Sequence, residues 1–100
     1  MFRNKVIEIW KKGEKKEGSF GQAVEGKPKL IKTIKVNVQP YFSEEALKDY
    51  GFTVDCEKVI FMDVEDINID THFIVYRGKK YEIKKIIEWN EYQEVLVHHV

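Results

Sequence analysis

The sequence predicts a mainly β fold, a small antiparallel barrel with one short helix, and the strongest signals lie in its last third. Residues 73–76 form a β-prone run, a turn follows at 77–80, and a second run extends over residues 81–89. One parity of the second run is apolar or aromatic, interrupted only by Lys85: Tyr81, Ile83, Ile87 and Trp89. The other parity carries four charges in five positions, which is the pattern of a half-buried strand. A turn at Asn90-Glu91 leads into the apolar residues 95–97, so three strands form a meander, the nucleus of a small barrel or sandwich.

The first forty residues predict two strands separated by a long flexible loop. Residues 5–10 are apolar on both parities apart from Glu8, as in a strand that is buried on two sides. Between Lys11 and Gly26 the apolar pattern collapses, and this stretch holds four of the six glycines and two lysine pairs. Order resumes with a long amphipathic strand that ends at Pro40 and places these residues on one parity: Leu30, Lys32, Ile34, Val36 and Val38.

One short helix is predicted over residues 44–50. Ser43 is a good N-cap residue, Glu44 and Glu45 suit the positive end of the helix dipole, and Gly51 is suited to the position after the last turn. A further strand is predicted over residues 56–64. The acidic stretch 63–70 fits either a short strand or an ordered loop.

Composition predicts one globular domain over residues 1–100. The chain is 43% hydrophobic and 34% charged, and its single cysteine excludes an intrachain disulfide, which favours a reducing compartment. It has no apolar run near the ~18 residues of a membrane span, so we expect a cytoplasmic protein. The net charge is zero but segregated. Residues 1–35 carry ten basic and four acidic residues, a net charge of +6. Residues 36–76 carry two basic and nine acidic residues (−7), and residues 77–100 carry five basic and four acidic residues (+1).

No residue pattern predicts chemistry. His98 and His99 are neighbours on a strand, where side chains point to opposite faces, and no third ligand lies at a suggestive spacing. Cys56 lies on an apolar parity, which favours a buried, inert thiol. The acids of residues 63–70 lack the glycine and the distant glutamate of a calcium loop. Phosphate loops, dinucleotide motifs and nucleophile elbows are also missing, so we expect no catalytic residue, cofactor or metal, and no enzymatic activity.

Several segments together resemble the small head–tail connector proteins of tailed phages and PBSX-like prophages, the head completion or head closure group. In that group a long strand precedes an S-x-x-A-x-x-x-G helix, and a G-x-x-Y-x-I hairpin and an aromatic-bearing turn come later. Ser43–Gly51 departs from the helix pattern by one additional residue before the glycine. The matching segments are distributed along nearly the whole chain: Val6–Trp10, Val36–Tyr41, Ser43–Gly51, Tyr76–Ile86 and Trp89–Tyr92.

The resemblance implies a structural subunit of a ring stacked below the portal, at the neck between the DNA-filled head and the tail. Its partners would be the portal protein, tail or neck proteins and further copies of itself, and it would move from the bacterial cytoplasm into the virion neck. The loop 11–26 is the counterpart of the family's extended loops. Four of its residues would face a neighbour or, without reading sequence, the DNA channel: Lys11, Lys12, Lys15 and Lys16.

Two other classes stay open from the residues alone. A single-stranded nucleic-acid module on an oligonucleotide-binding type of barrel would expose Tyr76, Tyr81 or Tyr92 on a basic face, whereas a connector would bury them. A small hydrolase would need a cleft with a perturbed acid, base or thiol, for which only Cys56 and the histidines are available. The parity argument also predicts that Ile83 and Trp89 are both largely buried.

Overall fold

In the computed structural model, which describes residues 4–13, 15–17 and 23–100, the chain is mainly β with a single short helix. The predicted fold class is therefore confirmed. The described elements are, in chain order, β1 (Lys5–Lys11), β2 (Lys15–Glu17), β3 (Ala23–Glu25), β4 (Lys29–Pro40), α1 (Ser43–Tyr50), β5 (Lys58–Asp63), β6 (His72–Tyr76), β7 (Lys79–Glu88) and β8 (Tyr92–His99). The described helix is too short to cross a membrane.

Six of these strands close into an antiparallel barrel in the order β1-β4-β5-β8-β7-β6, with β6 pairing back onto β1. Because every neighbour is antiparallel, strand ends alternate around the barrel. One end, here named the ribbon end, carries the β2–β3 ribbon, residues 64–71 and the turn between β7 and β8. The other end, here named the helix end, carries the start of β5, the end of β8 and the β6–β7 turn.

The barrel interior is a continuous apolar core to which all six strands contribute. Its fully buried members include Ile7, Met62 and Ile74, each at 0% exposure, and Tyr76 and Tyr81 complete it at 8% and 6%. Ile83 is buried at 3%, as predicted. A barrel of this size is filled by its own side chains.

The helix α1 covers part of the outer surface of β5 and β8 and creates a second, smaller core. Ala46 of the helix, Cys56, Val59 and Leu96 are its buried members. The strand β8 is therefore buried on both faces. Val95 and Val97 point toward the barrel interior, and Leu96 points toward the helix.

The helix has the predicted extent, with a shift of one residue at its start. Phe42 is the N-cap, and its backbone N–H donates to the Glu45 carboxylate at 3.4 Å. Ser43, the predicted N-cap, lies inside the helix, and its hydroxyl oxygen instead accepts from the backbone N–H of Cys56 at 3.4 Å. Gly51 adopts φ 76° and donates to the Leu47 carbonyl oxygen at 2.9 Å, which confirms its predicted position.

The prediction that Trp89 is buried is wrong, because β7 contains a bulge. Ile83 pairs with Val97 and Lys85 with Leu96, so Lys84 is an extra residue between the two pairs. An extra residue reverses the parity of everything after it. Ile86 therefore packs against the barrel core and Ile87 against the helix core, while Trp89 is 47% exposed. Lys85, which interrupted the apolar parity in the sequence, marks this reversal.

A second irregularity does the same in β4. Ile9 of β1 pairs with Lys32 and Trp10 with Leu30, so Ile31 is the extra residue. Ile34, Val36 and Val38 contact the barrel core as predicted. Leu30, which the sequence placed on the same parity, is 44% exposed, because it lies before the bulge.

The predicted loop from Lys11 to Gly26 needs correction in its described part. Lys11 is the last residue of β1, and residues 15–17 pair antiparallel with residues 23–25 as a two-stranded ribbon. At its base an ideal Cβ on Gly13 would lie 1.7 Å from the carbonyl oxygen of Gly26, so the two backbones approach as closely as only glycine allows. The remaining positions, 14 and 18–22, lie outside the described residues.

The β6–β7 hairpin has a two-residue turn, since Tyr76 pairs with Lys79. Arg77 and Gly78 both have positive φ, 52° and 75°, as the twist of a two-residue hairpin requires. The predicted turn at 77–80 is therefore shorter than expected, and Lys79 and Lys80 belong to β7.

Candidate functional site

The four lysines predicted to contact a neighbour or DNA all lie on or beside the ribbon. Lys11 ends β1 opposite Lys29, and its side chain is exposed. Lys12 is exposed as well, and its backbone N–H donates to the Thr71 carbonyl oxygen at 2.7 Å. Lys15 and Lys16 lie in β2, where their backbones pair with residues 25 and 24. The structure therefore places these four residues along one short length of chain at the ribbon end.

The charge segregation seen in the sequence persists on the folded surface. The adjacent strands β1 and β4 carry exposed lysines on one parity, here named the basic face: Lys11, Lys29 and Lys32. The acidic residues 64–71 lie at the same end of the barrel, and the Glu65 carboxylate accepts from Lys32 Nζ at 3.0 Å. A basic surface thus borders an acidic segment, an arrangement that suits contacts between oppositely charged neighbours.

Residues 64–71 form an ordered loop, one of the two structures that the sequence left open. The Asn68 side-chain oxygen accepts from the backbone N–H groups of Asp70 and Thr71 at 3.0 and 2.8 Å, and from the Thr71 hydroxyl at 2.8 Å. The ring of His72 continues this network, because its Nδ1 accepts from the Asn68 N–H at 3.3 Å. Burial, with the nearby charge of Lys11, lowers the pKa of His72, in keeping with a neutral ring. The loop is organised by an amide side chain.

The aromatic residues that distinguish a connector from a nucleic-acid module lie mostly inside the barrel. Tyr76 and Tyr81 are buried, with ring centroids 6.4 Å apart. Burial is the main cause that raises the pKa of Tyr81. Tyr92 is partly exposed and stacks on Trp89 with centroids 6.3 Å apart. Its neighbour in the turn is the exposed acid Glu91. Tyr76 and Tyr81 therefore present no ring faces for bases to stack on.

The turn between β7 and β8 carries an aromatic pair held by a buried carboxylate. Glu94, 9% exposed, accepts at Oε2 from the Tyr50 hydroxyl at 2.7 Å and from Trp89 Nε1 at 2.8 Å. Burial, followed by the hydrogen bond to Glu94, raises the pKa of Tyr50 to about 12. This network ties the end of α1 to the turn and fixes the half-exposed Trp89 against Tyr92. The sequence indicated none of it, because Glu94 and Tyr50 are distant along the chain.

Cys56 is the buried thiol that the sequence predicts. It is 3% exposed, contributes to the small core beneath α1, and has its pKa raised mainly by burial. A thiol in this environment is a poor nucleophile, since the thiolate is the reactive form.

The two C-terminal histidines lie closer together than strand alternation suggests. Their rings stack with centroids 5.1 Å apart, because the His98 ring turns to place Nδ1 2.9 Å from the His99 carbonyl oxygen. Glu57, which the sequence gave no reason to connect with them, accepts from the His99 backbone N–H at 2.7 Å and from its ring at 2.6 Å. Burial alone would raise the pKa of Glu57, but these hydrogen bonds and the nearby histidines lower it.

Comparison of the sequence with models of known protein families and with curated proteins gives no match.

Proposed function

We propose that this chain is a structural subunit of a phage or prophage head–tail connector that assembles as a ring below the portal. The proposal starts from the sequence resemblance described above. The observation that carries it furthest is the combination of a closed, filled barrel with a β-ribbon that continues from the basic face.

The barrel itself supports a structural role. Its interior is filled by side chains from six strands, and the two tyrosines that would serve a nucleic-acid module, Tyr76 and Tyr81, are part of that core. Single-stranded nucleic-acid modules instead present aromatic rings on a basic groove. The partly exposed Tyr92 is stacked on Trp89 and lies next to an acidic turn residue, which is a poor surface for phosphates.

The ribbon supports contact with neighbours. A two-stranded ribbon is at best marginally stable alone in water, so a partner surface would stabilise it. The longest dimension of the molecule is 49 Å against 28 and 26 Å for the other two, and the radius of gyration is 15.1 Å. A compact 100-residue domain would have about 13 Å. An elongated subunit of this kind is suited to reach an adjacent copy in a ring.

Charge provides the attraction between copies. The basic face would meet the acidic loop 64–71 of a neighbour, and such exposed contacts are screened within about 8 Å at physiological salt and individually weak. The free subunit is therefore a weakly associating monomer, and the portal acts as a template that raises the effective concentration of neighbours. Lys11, Lys12, Lys15 and Lys16 contact a neighbour or phosphates of the packaged DNA, and phosphate contacts carry no sequence information.

Co-sedimentation with rings of the cognate portal protein tests the proposal. Wild type should sediment with the rings at low salt and less so as salt rises. A variant with the four ribbon lysines changed to glutamate should lose this association. A matched control makes the same change of charge at four lysines away from the ribbon: Lys35, Lys48, Lys58 and Lys79.

The control should keep more of its portal association than the ribbon variant does. Equal loss in both variants would show that net charge alone governs binding and would remove the role assigned to the ribbon. If wild type fails to associate with the portal at low salt while it binds single-stranded DNA tightly, the connector proposal fails and the nucleic-acid module replaces it.

A further inference from the structure

The helix end of the barrel brings four potential metal ligands together at the C-terminal end of β8. Among the residues that the structure describes, Glu57, His98 and His99 each offer a ligand atom within 4.8 Å of the other two. Asp55 adds a fourth, with its Oδ1 3.7 Å from His98 Nε2. The β5–β8 ladder creates this arrangement, because the Glu57 backbone N–H donates to the Val97 carbonyl oxygen at 2.9 Å. Residues that are far apart in sequence are thereby fixed side by side.

His98 is held in the form that a metal ligand needs. Its Nδ1 lies 2.9 Å from the carbonyl oxygen of His99, and a carbonyl oxygen can only accept, so Nδ1 carries the proton. In the neutral ring, Nε2 then holds the lone pair, and it is this atom that lies nearest the Asp55 carboxylate. Metal-binding histidines in proteins are oriented in the same way, by donating their other ring N–H to a backbone carbonyl or a carboxylate.

Glu57 is positioned by its neighbour in the same manner. It is held by two hydrogen bonds from His99, one from the backbone and one from the ring, and its side chain retains only 23% exposure. The carboxylate therefore has a fixed location, with a second oxygen available for coordination. His98, at 31% exposure, and His99, at 56%, have room to rotate around it.

The donor set selects the class of cation. Calcium and magnesium prefer oxygen ligands throughout, whereas two imidazoles with carboxylates suit zinc and its first-row neighbours. Four ligands at about 2.0–2.2 Å around zinc stand roughly 3.3–3.5 Å apart. The ligand atoms of Glu57, His98 and His99, which lie within 4.8 Å of one another, would close by up to about 1.5 Å. The 2.6 Å hydrogen bond between His99 Nδ1 and Glu57 Oε1 would instead have to open. Partly exposed side chains make such an adjustment without moving the barrel. The two carboxylates would also balance the charge of a divalent ion.

We propose that Asp55, Glu57, His98 and His99 form a binding site for a divalent first-row transition metal ion, with Zn²⁺ as the ion best matched to the donors. Bound there, the ion bridges the end of β8 to the segment before β5 and reinforces the barrel at its helix end. The inference does not depend on the connector proposal, because the site lies at the opposite end of the barrel from the ribbon.

Calorimetric titration of the tag-free, full-length chain with ZnCl₂ tests the site. We expect one zinc ion per chain and an increase in Tm when zinc is present. His98→Ala and His99→Ala should each weaken binding by about tenfold or more, on the scale seen when metal sites lose supporting interactions. Asp55→Asn removes the charge of the weakest proposed ligand. Because the Asp55 side chain is 75% exposed, this substitution tests the site without disturbing the fold.

His72→Gln is the matched control, because His72 belongs to the loop 64–71 at the other end of the barrel. Zinc binding should be unchanged in this variant. Failure of wild type to bind zinc, or equal weakening by His72→Gln and His98→Ala, would overturn the proposal. In that case the cluster only pairs histidines with carboxylates. As a second readout, the nitrogen resonances of His98 and His99, but not those of His72, should shift on zinc addition.

Discussion

The hydrogen bonds to Glu94 predict a large effect from one substitution on the face of β8 that lies toward α1. Glu94→Ala removes the acceptor of both the Tyr50 hydroxyl and the Trp89 indole N–H. Both donors bond the same oxygen, Oε2, so a single atom connects the end of α1 with the turn between β7 and β8. Loss of that atom leaves two donors without their partner and frees Trp89 from its stacked position on Tyr92.

The magnitude follows from the two contacts. Hydrogen bonds to a charged group contribute about 1.5–3 kcal/mol each, which sets an upper range of roughly 3–6 kcal/mol. Two effects reduce it. Trp89 is 47% exposed, so its N–H recovers a water partner, and removing Glu94 also relieves the cost of burying a carboxylate. We therefore expect Glu94→Ala to lower the free energy of unfolding by about 2–4 kcal/mol.

Glu94→Gln separates charge from geometry, since glutamine keeps one acceptor oxygen that can occupy the position of Oε2. It should lower the free energy of unfolding by about 1–2 kcal/mol, because each of the two hydrogen bonds weakens by about 1 kcal/mol when its acceptor becomes neutral, while the cost of burying a charge is removed. Glu91→Ala, an exposed position in the same turn, is the control and should stay within about 0.5 kcal/mol of wild type. Urea unfolding followed by circular dichroism gives all three values. If Glu94→Ala unfolds at the same urea concentration as Glu91→Ala, the network contributes nothing and the reasoning is refuted.

Three further predictions concern Tyr50, Gly13 and Trp89. The pKa of Tyr50 is about 12 in the folded chain and 10.0 when unfolded. Its contribution to the free energy of unfolding is therefore fully present below pH 10 and is lost as the pH rises toward 12. Alkaline unfolding should therefore be less steep in Tyr50→Phe, and an unchanged slope would contradict the assigned burial. Gly13→Ala should separate the base of the ribbon and increase amide exchange in residues 15–17 and 23–25, while exchange in β5 and β8 stays as in wild type; equal exchange in both chains would show that the Gly26 contact is relaxed. Trp89→Ala should cost about 1–2 kcal/mol rather than the roughly 3–5 kcal/mol of a buried aromatic, and in a Trp10→Phe background acrylamide should quench Trp89 fluorescence substantially.

Much of the fold was predictable because it depends on local patterns. The helix followed from its flanking serine and glycine, and the meander followed from alternation and short turns. The barrel strands were predictable for the same reason. Alternation does not show where a strand contains an extra residue. The bulges at Ile31 and Lys84 therefore made the predicted faces of Leu30 and Trp89 wrong. In β7 the sequence did carry a sign of the bulge. Lys85 is a charged residue on an otherwise apolar parity, as expected if the faces of the strand reverse at that point.

The sites were less predictable, because each depends on residues that only the ladder brings together. Glu57 reaches His98 and His99 through the β5–β8 pairing, and Tyr50 reaches Glu94 through the docking of α1. Neither pair has a spacing that a sequence pattern encodes. The stacking of adjacent histidine rings contradicts simple alternation, because at the end of a strand a side-chain hydrogen bond, here from His98 to the His99 carbonyl, determines where the ring lies.

Closure of the barrel also limits how this chain can associate. Six strands pair in a ring, but two of the pairings cover only part of a strand: β4 pairs with β5 over residues 37–40, and β7 pairs with β6 over residues 79–82. In the part of the chain that the structure describes, unpaired strand edges therefore lie on the β2–β3 ribbon, on one side of β4 over residues 29–36 and on one side of β7 over residues 83–88. Backbone pairing between copies would therefore be confined to these three segments, which all lie toward the ribbon end, and every other contact would have to be made by side chains. For this reason Gly13 tests association through the backbone of the ribbon, whereas the ribbon lysines, the basic face and Trp89 test side-chain contacts, and the two kinds of contact can be separated by substitution.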